Sequence, residues 1–237
     1  KVQDVIDHWK GILGLESETI KFMEVETSHV KGYVRAKGNY DRINKYWAIV
    51  YGNMCELGDL IHEIGHIYLY KLLNWFDVYK SPREQNLKHD KTVKGLYMAL
   101  LDCFNEYHLY KFPEYHKILN EFLISEVDYD YTHFNNVPLS RPLAMYIGFY
   151  IAYNSIISEE IKTDLESDIK AFLTRLRRHV IKKSKEVDKK ITQKLFAKLN
   201  VKLNDFEKVK DTRNMKAFVN YVYEVLSVFP YWSKKEN

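Results

Sequence analysis

The chain has 237 residues, of which 46% are hydrophobic, and a formal net charge of +4. This length and composition are typical of one globular domain, or of one domain with a helical extension, and they exclude fibrous and low-complexity classes. Two cysteines, Cys55 and Cys103, are too few for a disulfide framework or a multi-cysteine zinc site, which favours a reducing, cytoplasmic location. The first residues are not typical of a signal peptide.

The N-terminal part of the chain predicts a helix followed by a small sheet. Apolar residues at helical spacing predict an amphipathic helix over Val2 to Leu15. Alternating and apolar runs predict strands at Ile20 to Thr27, Gly32 to Lys37 and Lys45 to Tyr51. The segment Gly38 to Asp41 is rich in turn-favouring residues and predicts a turn before the third strand.

A long helix is predicted next, from Met54 to Phe76. Asn53 can cap it, and Glu56 occupies the third helical position, as in a capping box. Its central residues are apolar on all sides, which predicts a buried helix.

Residues 62–66 of this helix read His-Glu-Ile-Gly-His. Because residues four apart project from one face of a helix, His62 and His66 can bind the same metal ion. Glu63 lies one step round the helix and can act as a general base on water at that ion. Buried charged and polar groups need partners, and a zinc ion would supply one. The alternative is a core helix whose histidines bond to neighbouring carbonyl groups.

This motif matches HExxH, the signature of zincin metallopeptidases. Three strands followed by the motif helix resemble the upper subdomain of zincins, in which an edge strand pairs with an extended substrate. The resemblance covers roughly residues 20–112. It implies a zincin-like α+β fold, predominantly helical, with Zn²⁺ as cofactor and a peptide or protein as substrate. It also implies peptide hydrolysis through a zinc-activated water, with Glu63 as general base.

A catalytic zinc site needs a third protein ligand. The helix predicted from Thr92 to Phe112 carries Asp102 and Glu106 one turn apart in one sector. Asn105-Glu106 resembles the element that supplies the third ligand in the gluzincin branch of the zincins. The resemblance implies that Glu106 binds the metal and that Asp102 orients a ligand histidine. The alternative is a helix surface pair.

Two other functions remain open. In SprT-like proteases, which act on DNA-bound proteins, a histidine soon after HExxH is the third ligand, and His89 is the candidate here. His89 lies in a predicted polar loop, where a solvated histidine is the alternative. A zincin fold kept as a binding or structural protein, without turnover, is a different class again.

The remaining chain predicts a helical C-terminal subdomain, residues 113–237, beside a metallopeptidase core of residues 1–112. The most apolar stretch, Pro142 to Ile157, is short for a membrane span, so a buried helix is predicted and no membrane partner. The predicted helices are Glu114 to Val127, Pro138 to Ile157, Ser158 to Lys183, Lys185 to Leu199 and Arg213 to Phe229.

A basic segment extends from Lys170 to Lys202 and contains twelve Lys or Arg residues against Glu186 and Asp188. It could bind nucleic acid, an anionic surface or an acidic protein. Amphipathic helices with solvated lysine faces show the same pattern, which is the alternative.

Overall fold

A computed structural model describes residues 2–25, 36–41, 43–52, 55–72, 91–127, 140–187 and 193–229. The fold is α+β and predominantly helical, as predicted. By internal packing the chain divides into two units, Lys1–Trp75 and Phe76–Asn237. This division concerns packing alone, so the predicted functional domains, residues 1–112 and 113–237, stay a prediction.

The first unit contains a helix, a three-stranded sheet and the helix that carries the His-Glu-Ile-Gly-His motif. Strand β3 is central, with β1 parallel to it on one side and β2 antiparallel on the other. Helix α2 packs against β2, β3 and α1. The elements are α1 (Val2–Ile12), β1 (Ile20–Val25), β2 (Ala36–Asp41), β3 (Tyr46–Gly52) and α2 (Leu57–Leu72). The predicted N-terminal sheet is therefore confirmed, and β2 is an outer strand among the strands that the structure describes.

The predicted turn at Gly38 to Asp41 is wrong, because these residues belong to β2. The chain turns later, where the Asp41 Oδ1 atom accepts hydrogen bonds of 2.9 Å from the backbone N–H groups of Ile43 and Asn44. Lys45 completes the turn with a positive φ of 54°. The turn therefore depends on the Asp41 side chain, which can bond to backbone groups two and three residues ahead.

Helix α2 begins at Leu57, three residues later than predicted. The Asp59 carboxylate accepts a 2.8 Å hydrogen bond from the backbone N–H of Glu56, so an acidic side chain in the first turn caps the residue before the helix. The predicted cap, Asn53, lies outside the described residues. One side of the helix is buried through Leu60, Ile61, Ile64, Gly65, Ile67 and Leu69.

Glu18 ties three elements of this unit together. Its carboxylate accepts a 3.1 Å hydrogen bond from the Trp47 indole of β3 and lies 3.0 Å from the Lys71 ammonium near the end of α2. Its carbonyl oxygen accepts a 2.8 Å bond from Lys10 of α1. These contacts hold α2 against the sheet and so position the motif.

The second unit is helical over its described residues. Its helices are α3 (Lys91–Leu109), α4 (Pro113–Val127), α5 (Ser140–Ile151), α6 (Glu159–Val187), α7 (Gln193–Asn204) and α8 (Met215–Leu226). A π-helical turn, Ala152–Ile156, extends α5, and a 3₁₀ turn, Asp205–Lys208, follows α7. The predicted boundary near residue 184 is wrong, since α6 continues to Val187.

Helix α5 is the core helix that the apolar stretch predicted. It packs against α3, α6 and α7, and Leu143, Ile147 and Ile151 are buried. The Tyr146 hydroxyl donates a 2.9 Å bond to the Asn200 side chain of α7, which satisfies its polar tip. Among the described residues, no helix combines the length and apolar character that crossing a bilayer would require.

Candidate metal centre

The two motif histidines converge on one point beside α2. Their Nε2 atoms are 3.0 Å apart, and their rings stand edge to face at an interplanar angle of 88°. A tetrahedral zinc ion with Zn–N bonds of about 2.0–2.1 Å needs its two nitrogens roughly 3.3 Å apart. The observed separation is within a few tenths of an ångström of that value. His62 and His66 therefore fit a shared zinc ion.

The motif residues correct the prediction that this helix is buried on all sides. His62, Glu63 and His66 are each half-buried, whereas Ile64 and Ile67 are almost completely buried. The apolar neighbours thus fix the helix, and the three polar side chains share a more open side. An accessible face is what a catalytic metal needs, because one coordination position must admit water or substrate.

The Glu63 carboxylate is hydrogen-bonded to strand β2. The backbone N–H of Gly38, in β2, donates a 2.6 Å hydrogen bond to Glu63 Oε2. Hydrogen bonds to a carboxylate are stronger than those between neutral groups. The sequence prediction missed this contact because it placed Gly38 in a turn. The local sequence offered one signal for the contact, the glycine itself, since a side chain at position 38 would lie against Glu63 of α2.

Helix α3 carries the predicted carboxylates in the second unit. Asp102 and Glu106 are both half-buried, and the Oε2 atom of Glu106 is buried. Burial, followed by the charges of Asp102 and Glu106, raises the pKa of the Cys103 thiol well above its usual value. Cys103 is therefore a buried neutral thiol. This sector of α3 combines negative charge with low solvent exposure, as a cation-binding helix face should.

The neighbours on α3 are buried as well. Asn105 is 0% exposed, which excludes the alternative that Asn105-Glu106 is a surface pair. His108 is 4% exposed, and burial, with the nearby Lys111 charge second, lowers its pKa from 6.5 to about 4. His108 is thus a neutral core imidazole at physiological pH.

The predicted site residues belong to both units. His62, Glu63 and His66 lie in the unit Lys1–Trp75, and Asp102 and Glu106 lie in the unit Phe76–Asn237. The competing ligand, His89, lies outside the described residues, so that alternative stays a prediction.

The basic segment is partly engaged in contacts within the protein. Arg178 and Lys182 of α6 are exposed, as a binding surface would require. Three other members have intramolecular partners: Lys170 pairs with Glu166, Arg175 donates to the Val127 carbonyl oxygen, and Lys202 pairs with Glu224. These contacts are compatible with the alternative of amphipathic helices with solvated lysine faces, and nucleic-acid binding stays a prediction.

Comparisons of the chain with family models, with curated proteins and with solved structures find no match.

Proposed function

We propose that the protein is a zinc-dependent metallopeptidase of the zincin class. The observation that carries this proposal is the convergence of the His62 and His66 Nε2 atoms, 3.0 Å apart, on the helix that also carries Glu63. Two convergent imidazoles four residues apart, with an acid directly after the first, are the arrangement that HExxH metallopeptidases use for zinc binding and proton transfer.

The third ligand in this proposal is a carboxylate of α3. The resemblance to gluzincins names Glu106 as this ligand and Asp102 as the residue that orients a ligand histidine, and we keep that assignment in the proposal. Three protein ligands leave one coordination position open for chemistry.

When bound, zinc would polarise the scissile carbonyl and lower the pKa of a coordinated water. Glu63 is the proton acceptor and later returns the proton to the leaving amine. Gly38 holds one Glu63 oxygen, Oε2, so the other oxygen, Oε1, is the one positioned to receive the proton.

The substrate in this proposal is an extended peptide that pairs with β2. Among the described strands, β2 pairs with β3 on one side, and we propose that its other side accepts a peptide strand at positions flanking Gly38, whose N–H is already bonded to Glu63. Because Gly38 lies in the middle of β2, a peptide on this side would pass the proposed general base.

Substitution of Glu63 tests the proposal. Glu63→Gln keeps the shape and hydrogen-bonding capacity of the side chain but removes the base. We expect bound zinc to stay at one ion per chain while hydrolysis of a mixture of quenched fluorogenic peptides falls by roughly two to four orders of magnitude. Glu24→Gln is the matched control, since Glu24 is exposed on β1. Undiminished hydrolysis by Glu63→Gln would exclude Glu63 as the base.

Elemental analysis tests the metal site independently of activity. The double variant His62→Ala, His66→Ala should lose its zinc. Stoichiometric zinc in that variant would place the metal elsewhere. A wild type that binds zinc through these histidines and yet cleaves no peptide would support a zincin-fold binding protein instead.

A further inference from the structure

The backbone N–H of Gly38, in β2, donates a hydrogen bond to a side chain of α2. Gly38 is opposite Ile49 in the antiparallel pair of β2 and β3. In such a pair, alternate residues direct their backbone groups toward the partner strand and away from it. The Gly38 N–H donates to Glu63 Oε2 at 2.6 Å, so it points away from β3. The Glu63 carboxylate, and not β3, therefore accepts the hydrogen bond from this N–H.

The absence of a side chain at Gly38 also leaves room for the Glu63 carboxylate. A Cβ at Gly38 would lie 3.0 Å from Glu63 Oε2 and 4.0 Å from the Glu63 carbonyl oxygen. The same addition at Gly11 or Gly148 would meet nothing within 4 Å. Gly14 has a positive φ, but Gly38 does not, so its backbone conformation is open to any residue. Space beside Glu63, and not conformational freedom, is thus the reason for glycine here.

Holding this carboxylate matters for proton transfer. The terminal torsion of a glutamate side chain is broad, so an unanchored carboxylate would sample many orientations. Reactions that depend on positioned groups lose up to about a hundredfold in rate when a group moves by roughly 1 Å. A single bond to Oε2 removes most of that freedom and leaves Oε1 for the proton.

We propose that Gly38 is the positioning residue for Glu63. Its backbone N–H fixes one carboxylate oxygen, and its missing side chain leaves the room that the carboxylate occupies. The catalytic part of this inference rests on the proposed peptidase function, whereas the anchoring contact can be measured without any activity.

The first measurement is amide hydrogen exchange in the full-length protein by NMR. The sequence has nine glycines, and the glycine resonance absent from Gly38→Ala identifies the Gly38 amide. We expect this amide to be protected in the wild type. In Glu63→Ala its exchange should accelerate by roughly tenfold or more, because a charge-assisted hydrogen bond has been removed. An exchange rate that is fast in the wild type, or unchanged in Glu63→Ala, would overturn the inference whatever the activity of the protein.

The second measurement is steady-state hydrolysis of the same fluorogenic peptides. Gly38→Ala should keep its zinc and lose roughly 10- to 100-fold in kcat, while KM changes by less than about threefold. Gly11→Ala adds the same methyl group to the exposed side of α1, where it meets nothing, and should keep the wild-type kcat.

A double-variant cycle separates positioning from a general effect on folding. Glu63→Asp withdraws the carboxylate by about one methylene, away from the methyl group that Gly38→Ala adds. The loss caused by Gly38→Ala should therefore shrink to less than about threefold in the Glu63→Asp background, because the two sites are coupled. Equal losses in both backgrounds, or an unchanged kcat in Gly38→Ala, would overturn the positioning role. If the wild type hydrolyses no peptide, the proposed function fails and hydrogen exchange alone decides whether Gly38 holds Glu63.

Discussion

The buried imidazole of His108 should make the stability of the protein pH-dependent. This side chain is 4% exposed and its ring lies 4.7 Å from that of Phe104, so the charged form is disfavoured in the folded protein. Burial lowers its pKa from 6.5 to about 4. Above pH 6.5 the imidazole is neutral whether the chain is folded or unfolded, and it has no effect on stability. Between pH 6.5 and 4 the unfolded chain binds a proton that the folded chain does not, so stability falls as the pH falls.

The shift corresponds to about 3 kcal/mol of unfolding free energy at pH 4, since one pKa unit is equivalent to about 1.4 kcal/mol. Urea unfolding at pH 7 and pH 4 measures it. The protein is first freed of metal with a chelator, so that release of bound metal at low pH does not contribute. We expect the wild type to lose more stability between the two pH values than His108→Gln, which keeps a hydrogen-bonding side chain but cannot be protonated. His8→Gln is the matched substitution at an exposed position. Identical losses in the wild type and His108→Gln would refute the assignment.

The third ligand and the basic segment can be tested in the same preparations. Against one chelator series, Glu106→Ala should release zinc at the lowest chelator concentration, because a ligand is lost, and Asp102→Ala should release it later; the reverse order would favour Asp102 as the ligand. His89→Ala should retain zinc as the wild type does, and early release would move the protein toward the SprT-like alternative. If the segment 170–202 binds DNA, fluorescence anisotropy should show affinity falling steeply with salt through counterion release, and absence of binding at low salt would exclude that role.

The sequence was sufficient to predict the helices of the site, because their signals are local and strong. Apolar residues recur at helical spacing on both sides of His62 and His66, and the structure places both histidines on one face of α2. Helix α3 was also predicted from its sequence, and Asp102 and Glu106 lie one turn apart in it. Spacing along a helix is fixed by its geometry, so a correct helix prediction also fixes which of its side chains are neighbours.

The start of α2 shows where local signals fail. An Asn-x-x-Glu pattern begins at Asn53, and a second acidic residue, Asp59, follows Glu56 by three positions. Both resemble capping patterns, and nothing in the local sequence indicates which of them begins the helix. In the structure Asp59 reaches back to the Glu56 N–H, so the later start is the one used. Which of two adjacent caps is used depends on how the helix packs, which the local pattern does not contain.

The extent of β2 was predicted wrongly for a related reason: the predicted strand Gly32 to Lys37 shares Ala36 and Lys37 with β2, and a turn was predicted for the rest of it. Glycine, asparagine and aspartate are all depleted in strands, and the segment from Gly38 to Asp41 contains each of them. Pairing with β3 holds these residues extended. The Gly38 N–H points away from β3, and the Glu63 carboxylate accepts a hydrogen bond from it. A Cβ at Gly38 would lie 3.0 Å from that carboxylate, so the glycine that disfavours a strand also leaves room for the contact with α2. Disagreement between local propensity and observed structure is expected at functional sites, and here it points to the strand that holds Glu63, the proposed general base.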